Sequence, residues 1–230
     1  MIERSSPEYA VLLGEAICAL SRYFCGVPID ARPASGSTLT GRDKTDPVYV
    51  SVTERRDGPT ADQRARYSSC GDQLHAILER VGIRNPALNR ASQRQYQSGA
   101  NIMRLQAFPF SHSLAPHTPP PVAGSLCLIW TSGYDAHAFV VLGPGSDEHH
   151  ILTGNYGAGG MSAATAPGAN IADSPLVIMP DGMHIGGGSH RRLHTVMSPS
   201  AIAPYVDAQI DLSGASVSGE LVDALGARYD

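Results

Sequence analysis

A change of hydrophobic period near residue 122 limits the fold more than any other feature of the chain. Beyond it the apolar residues come in short runs separated by glycine turns: Ser125–Trp130 (SLCLIW), Ala136–Leu142 (AHAFVVL), His150–Thr153 (HILT), Leu176–Met179 (LVIM) and about Leu193–Met197. Runs of this length bounded by turn residues predict strands. Before residue 122 the spacing is helical. Residues 6–25 read as an opening helix, with Ser6 as N-cap, Pro7 at the first helical position and Glu8 in the first turn. Helices first, then short strands, predicts an α+β fold with an antiparallel sheet. A late helix is expected from Ser198-Pro199 to about Ile210.

The remaining stretches carry weaker signals. Residues 26–62 are rich in Pro, Gly, Asp and Thr, with one strand candidate at Val48–Thr53. Residues 85–106 predict one or two short helices, and residues 107–121 form a proline-laden connector. The chain has 230 residues and no internal repeat, which suits a single domain. Within it, residues 1–62 are read as an N-terminal helix and loop region packed on the core, 63–200 as the core, and 201–230 as a C-terminal extension.

Composition removes several function classes. Hydrophobic residues make up 42% and charged residues 17%, so a packed core is expected. The net charge is −4 with no basic block, which disfavours a nucleic-acid partner. No apolar run reaches the length of about 18 residues that a membrane span needs. The opening MIERSSPEYAVLLGEAICAL mixes charges and breaks its apolar run at Glu15, so no signal peptide is expected. The cysteines, at 18, 25, 70 and 127, have no C-x-x-C spacing and predict neither a zinc ribbon nor a disulfide framework. Cys18 and Cys25 read as core residues.

Cys70 stands apart. In RARYSSCGDQLHAILERVGI, Cys70, Leu74, Ile77, Leu78 and Val81 share one face of a helix. Ser69 and Asp72 have capping-box spacing, and Gly82 closes the helix. Cys70 then falls at the first helical position, where free backbone N–H groups and the macrodipole favour an anion such as a thiolate. A small apolar residue starting a core stripe would look the same. A cysteine nucleophile needs a base, and the base an orienting partner. In GYDAHAFVVLGPGSDEHHILTGNYGAGG, His137 begins one strand candidate and Asn155 follows the next. Antiparallel pairing of the two would bring His137 near Asn155, whose side-chain carbonyl can fix the imidazole tautomer. As alternatives, His137 is a satisfied strand histidine and Asn155 a left-handed turn residue.

The order of a helix-borne Cys, a strand-borne His and a polar residue on the next strand resembles the papain-like cysteine peptidase superfamily. Within it, the chain is most similar to the peptidoglycan-cleaving CHAP and NlpC/P60 groups. The resemblance covers roughly residues 60–160. It is carried by Gly124-Ser125-Leu126-Cys127-Leu128 before the His strand, Ala138-Phe139-Val140-Val141 after the His, and Asn155-Tyr156-Gly157. Ser69 before the Cys and Gly71-Asp72 after it depart from the pattern, and the aromatic cluster usual after the Cys is absent. The resemblance implies a papain-like α+β fold, with helices packed on a central antiparallel sheet and the Cys at a helix N-terminus. It implies a cysteine peptidase or amidase with the triad Cys70, His137 and Asn155, no cofactor and no metal. The oxyanion would be held by the Cys70 backbone N–H and a second donor, with Tyr67, Gln63 and Gly71 as oxyanion or substrate candidates. The substrate class implied is peptidoglycan peptides. A phage lysis protein or a delivered antibacterial effector would be made in the cytoplasm and reach the periplasm or cell wall by phage lysis or a secretion system. An immunity or delivery protein is the partner such a role implies.

Competing readings are a catalytically silent structural or binding module of the same fold, and a protein-directed cysteine protease or deamidase toxin. A metal site at His184, His190 and His194 is disfavoured. The H-x3-H pair sits in a glycine-flanked segment entering a strand, where i and i+4 lie roughly 13 Å apart. His149-His150 reads as a solvated turn, His112 and His117 as connector residues, and Gly186-Gly187-Gly188 as a loop rather than an anion cradle.

Overall fold

The computed structural model describes residues 2–24, 37–38, 67–68, 70–83, 112–113, 119–130, 136–155, 170–186 and 191–206. The opening helix α1 (Pro7–Phe24) starts where its chemistry dictates: the Ser6 hydroxyl accepts from the Tyr9 N–H at 3.1 Å. It buries Tyr9, Leu13, Ala16, Ile17 and Leu20 along one face. Helix α2 (Cys70–Arg80) begins at Cys70 and buries Leu74, Ile77 and Leu78. Its end is a complete Schellman motif. Gly82, at φ 86°, donates to Glu79 O at 2.9 Å, and Ile83 donates to Leu78 O at 2.9 Å. The Ser69 cap, the Val48–Thr53 strand and the helices expected in 85–106 lie outside the described residues.

Two pairings are short, one in a sheet of its own and one at the edge of the main sheet. Strand β1 (Ser37–Thr38) pairs with β2 (Tyr67–Ser68), and β3 (His112–Ser113) pairs with Val196 and Thr195 later in the chain. The expected apolar runs become β4 (Leu126–Trp130), β5 (Ala136–Pro144), β6 (His150–Asn155), β7 (Asn170–Met179) and β9 (Arg191–Met197). Between the last two lies β8 (Gly182–Ile185), which the sequence had suggested as part of a loop. The late helix α3 (Pro199–Ile202) is capped by Ser198 and passes into a 3-10 turn, Ala203–Tyr205, so its helical stretch ends before residue 210.

The sheet overturns the expected papain-like architecture of helices on an open central sheet. The antiparallel order β9-β4-β5-β6-β7-β8 closes on itself through β8–β9 pairing, which gives a six-stranded barrel with few helices around it. Two features close it. The β7–β8 hairpin turns at Pro180-Asp181, so β8 returns directly to the free edge of β9. Two bulges add curvature. Leu142 is the extra residue of β5, between Val141↔Thr153 and Gly143↔Leu152. His194 is the extra residue of β9, between Thr195↔Leu128 and Leu193↔Ile129.

Closure divides the apolar residues into two cores. Cys127, Ile129, Phe139, Val141, Ile151, Leu176, Met183, Ile185 and Leu193 fill the barrel. Leu126, Leu128, Ala138, Val140, Leu142 and Met197 face outward and join the apolar faces of α1, α2 and α3. Strands β4 and β5 are therefore buried on both faces, which is why their sequences run as continuous apolar stretches. Helix α1 crosses the start of β4 at a glycine pair. A Cβ on Gly124 would stand 2.3 Å from the Cα of Gly14. Among the described residues no helix is long and apolar enough to cross a membrane.

Candidate active site

The barrel has two unlike ends. At one, tight turns join β5 to β6 and β7 to β8. At the other, here the rim, β4 and β9 meet the start of β5, the end of β6 and the start of β7. His137 and Asn155 both fall at this rim. Position 137 pairs with Ile129, and paired residues of a ladder share a face, so it belongs to the inward register of Ile129 and Phe139. On β6, Val140↔Gly154 and Val141↔Thr153 place position 155 beside position 139, in step with the inward Ile151. The backbone thus sets positions 137 and 155 on adjacent strands, in one register, at one end of the barrel. Asn170 of β7 is the direct register partner of Asn155.

Cys70 is the first residue of α2 and Gly71 the second. This helix packs on the outer side of β5 and on α1. Cys70 therefore belongs to the helix layer and position 137 to the barrel's inner register. The helix that carries Cys70 thus lies on the outer face of β5, and position 137 falls on its inner face. Tyr67 lies in β2, paired with Thr38. Gln63 lies outside the described residues.

Two other cysteines are chemically quiet. Burial pushes the Cys18 thiol up to about 11, against smaller opposing effects from Gly124 and Arg22. Its Sγ donates to Val141 O at 3.5 Å and so ties α1 to β5. Cys127 fills the barrel, and burial raises its thiol strongly. Cys25 lies outside the described residues.

His150, His184 and His194 have local partners. His150 Nδ1 and Asp147 Oδ1 are 2.7 Å apart in the β5–β6 turn. This contact raises the imidazole and lowers the carboxyl. His184 Nε2 meets Asp181 Oδ1 at 2.9 Å beside the β7–β8 turn, which holds that carboxyl below its ordinary range. His194 Nδ1 lies 2.7 Å from Thr195 Oγ1 at the bulge. His112, expected in a connector, is in β3 opposite Val196. His117 and His190 lie outside the described residues. Among the described residues no three His, Cys, Asp or Glu side chains gather as a metal site.

Two rim positions escaped the sequence reading: Asn170 and Arg191. The first stands in a polar stretch before a proline, and the second begins a strand expected to start near Leu193. Compared with protein-family models, curated proteins and solved structures, the chain matches none of them.

Proposed function

We propose that the protein is a cysteine-dependent hydrolase of amide bonds, with Cys70 as nucleophile, His137 as base and Asn155 as its orienting partner. The observation that supports this reading is the β5–β6 register, which gives positions 137 and 155 one face at one end of the barrel. The helix that starts at Cys70 packs on the same β5. In the reaction the Cys70 sulfur bonds to the amide carbon, and the carbonyl becomes an oxyanion held by free N–H groups of the first turn of α2. His137 takes the thiol proton and gives it to the leaving nitrogen as the C–N bond breaks. It then takes a proton from water, whose oxygen attacks the thioester. The acid leaves and the thiol is restored. Peptidoglycan peptides are the first substrates to try, on the likeness of the Cys, His and Asn motifs alone.

The test is the pH dependence of iodoacetamide alkylation at each cysteine, read by peptide mass spectrometry in wild type and His137→Ala. Cys18 and Cys127 serve as slow internal references because both are buried with raised thiols. Cys70 should react fast at neutral pH and lose that reactivity without His137. A Cys70 that stays inert up to about pH 9, where an ordinary thiol is ionised, overturns the reading and favours a non-catalytic binding module.

A further inference from the structure

The turn end of the barrel holds an ionic cluster that the catalytic reading does not use. The β5–β6 loop is closed by Gly145 N–H donating to His150 O at 2.9 Å and by His150 N–H donating to Asp147 O at 3.2 Å. Two ties run from it to β7. Leu176 N–H donates to His149 O at 2.7 Å, which extends the β6–β7 ladder by one step. The second tie is a side chain. Asp173 stands opposite Leu152 in the outward register, yet its Oδ1 accepts from Ser146 N–H at 3.3 Å, on the β5 side of the loop. The Asp173 carboxylate therefore crosses the outer face of β6. Glycine at 145 leaves it room: a Cβ there would collide with Asp173 Oδ1 and with His150 Cβ.

His150 sits between carboxylates of two elements. Its Nδ1 lies 2.7 Å from Asp147 Oδ1, and Asp173 on β7 also favours its charged form. Glu148 and His149, the other titratable groups of the loop, meet each other at 3.5 Å and are largely exposed. The hydrogen bond to Asp147 is the main cause that raises the imidazole above its ordinary 6.5; burial opposes it, and the charges of Asp147 and Asp173 add to it. A neutral ring can keep its Nδ1–H bond to Asp147. What it loses is the positive charge that offsets the repulsion between Asp147 and Asp173. The hold on the loop is complete below the ordinary value and fades as pH rises through the raised one.

We infer that the β5–β6 loop is a proton-operated clasp: with His150 charged the loop is pinned across β6 to β7, and with His150 neutral it comes away from Asp173 while the barrel stays closed. The clasp does not depend on the cysteine-hydrolase reading, and neither Cys70, His137 nor Asn155 enters its test.

Amide exchange and histidine ring signals of the isotope-labelled full chain test it by NMR. Exchange is corrected for its intrinsic base catalysis. Between about pH 5.5 and about pH 8.5 the amides of Ser146 and Leu176 should lose about threefold in protection, the scale of one exposed ion pair. Val141, whose N–H donates to Ser125 O in the barrel wall, should not change. The loss should follow the titration of the His150 ring in unmutated protein, which needs no variant to fold. Asp173→Asn keeps an acceptor for Ser146 and removes the repulsion. Protection should then be the same at both pH values, and His150 should titrate at lower pH. His150→Gln should show the lower protection at both. A loss that reaches Val141 equally overturns the clasp, because the whole barrel then titrates. A pH response that survives Asp173→Asn overturns it too, since Asp147 alone would account for it. So does a His150 ring that titrates while Ser146 and Leu176 keep their protection.

Discussion

The Asp147–His150 contact shows how a single side-chain pair can set a pH response. The partners hold the β5–β6 turn, where His149 N–H also donates to Asp147 Oδ1 at 2.8 Å. The His150 imidazole is raised above its ordinary 6.5, so its contribution to stability is complete below that value and is lost as pH rises through the raised one. The Asp147 carboxyl is lowered from 3.8, so its contribution holds above that pH and is lost only in stronger acid. Urea midpoints of wild type and His150→Gln should therefore differ more at about pH 5.5 than at about pH 8.5, with wild type the more stable. Equal differences at both pH values would show that the pair does not titrate with folding. At this scale the sequence was readable where the chemistry is local. Ser6 and Gly82 act on neighbours within a few residues, and both do as their spacing suggested. Asn170 and Arg191 were not readable. Their place depends on partners, Asn155 and Ile185, that only strand register supplies.

Elements followed the same division. The apolar runs of β4, β5, β6 and β9 and the faces of α1 and α2 were legible because one period persists over each. Strand β7 was half hidden. Its first part, Asn170–Ser174 (NIADS), shows no period-two apolar pattern ahead of Pro175, and it is held by its ladder to β6. Strand β8 is too short for a period, and its burial barely alternates. Two glycines test how elements are joined. Gly82→Ala forces a left-handed conformation at the end of α2 and should cost about 1 kcal/mol. Gly124→Ala adds a clash with the backbone of α1 to a φ of 81°. It should cost about 3 kcal/mol or more, because two elements must separate. Thermal unfolding of both variants checks the ranking, and a Gly124→Ala protein no less stable than Gly82→Ala would disprove the tight crossing.

Closure of the barrel was the property least legible in the chain. A row of antiparallel strands reads the same whether the sheet stays open or rolls up, and the outcome turned on β8 and the two bulges. The β8–β9 seam itself is thin, two register pairs at Ile185↔Arg191 and His184↔Arg192, where β5–β6 and β6–β7 are paired along most of β6. Native-state hydrogen exchange should show the amides of this seam opening first, well before those of Val140 and Val141. Uniform protection around the barrel would mean that closure is not the weak point. The glycine crossing of α1 has a further consequence, which belongs to biosynthesis. Helix α1 is made before its partners, yet it rests on β5 and α3, and Arg4 beside it donates to the carbonyl of Val206. At ordinary rates of translation its apolar face waits on the order of ten seconds for the last of those partners. In that interval the nascent chain exposes Leu13, Ile17 and Leu20 to whatever in the cell binds greasy helices, so a segment made ahead of its partners is among the last to be settled.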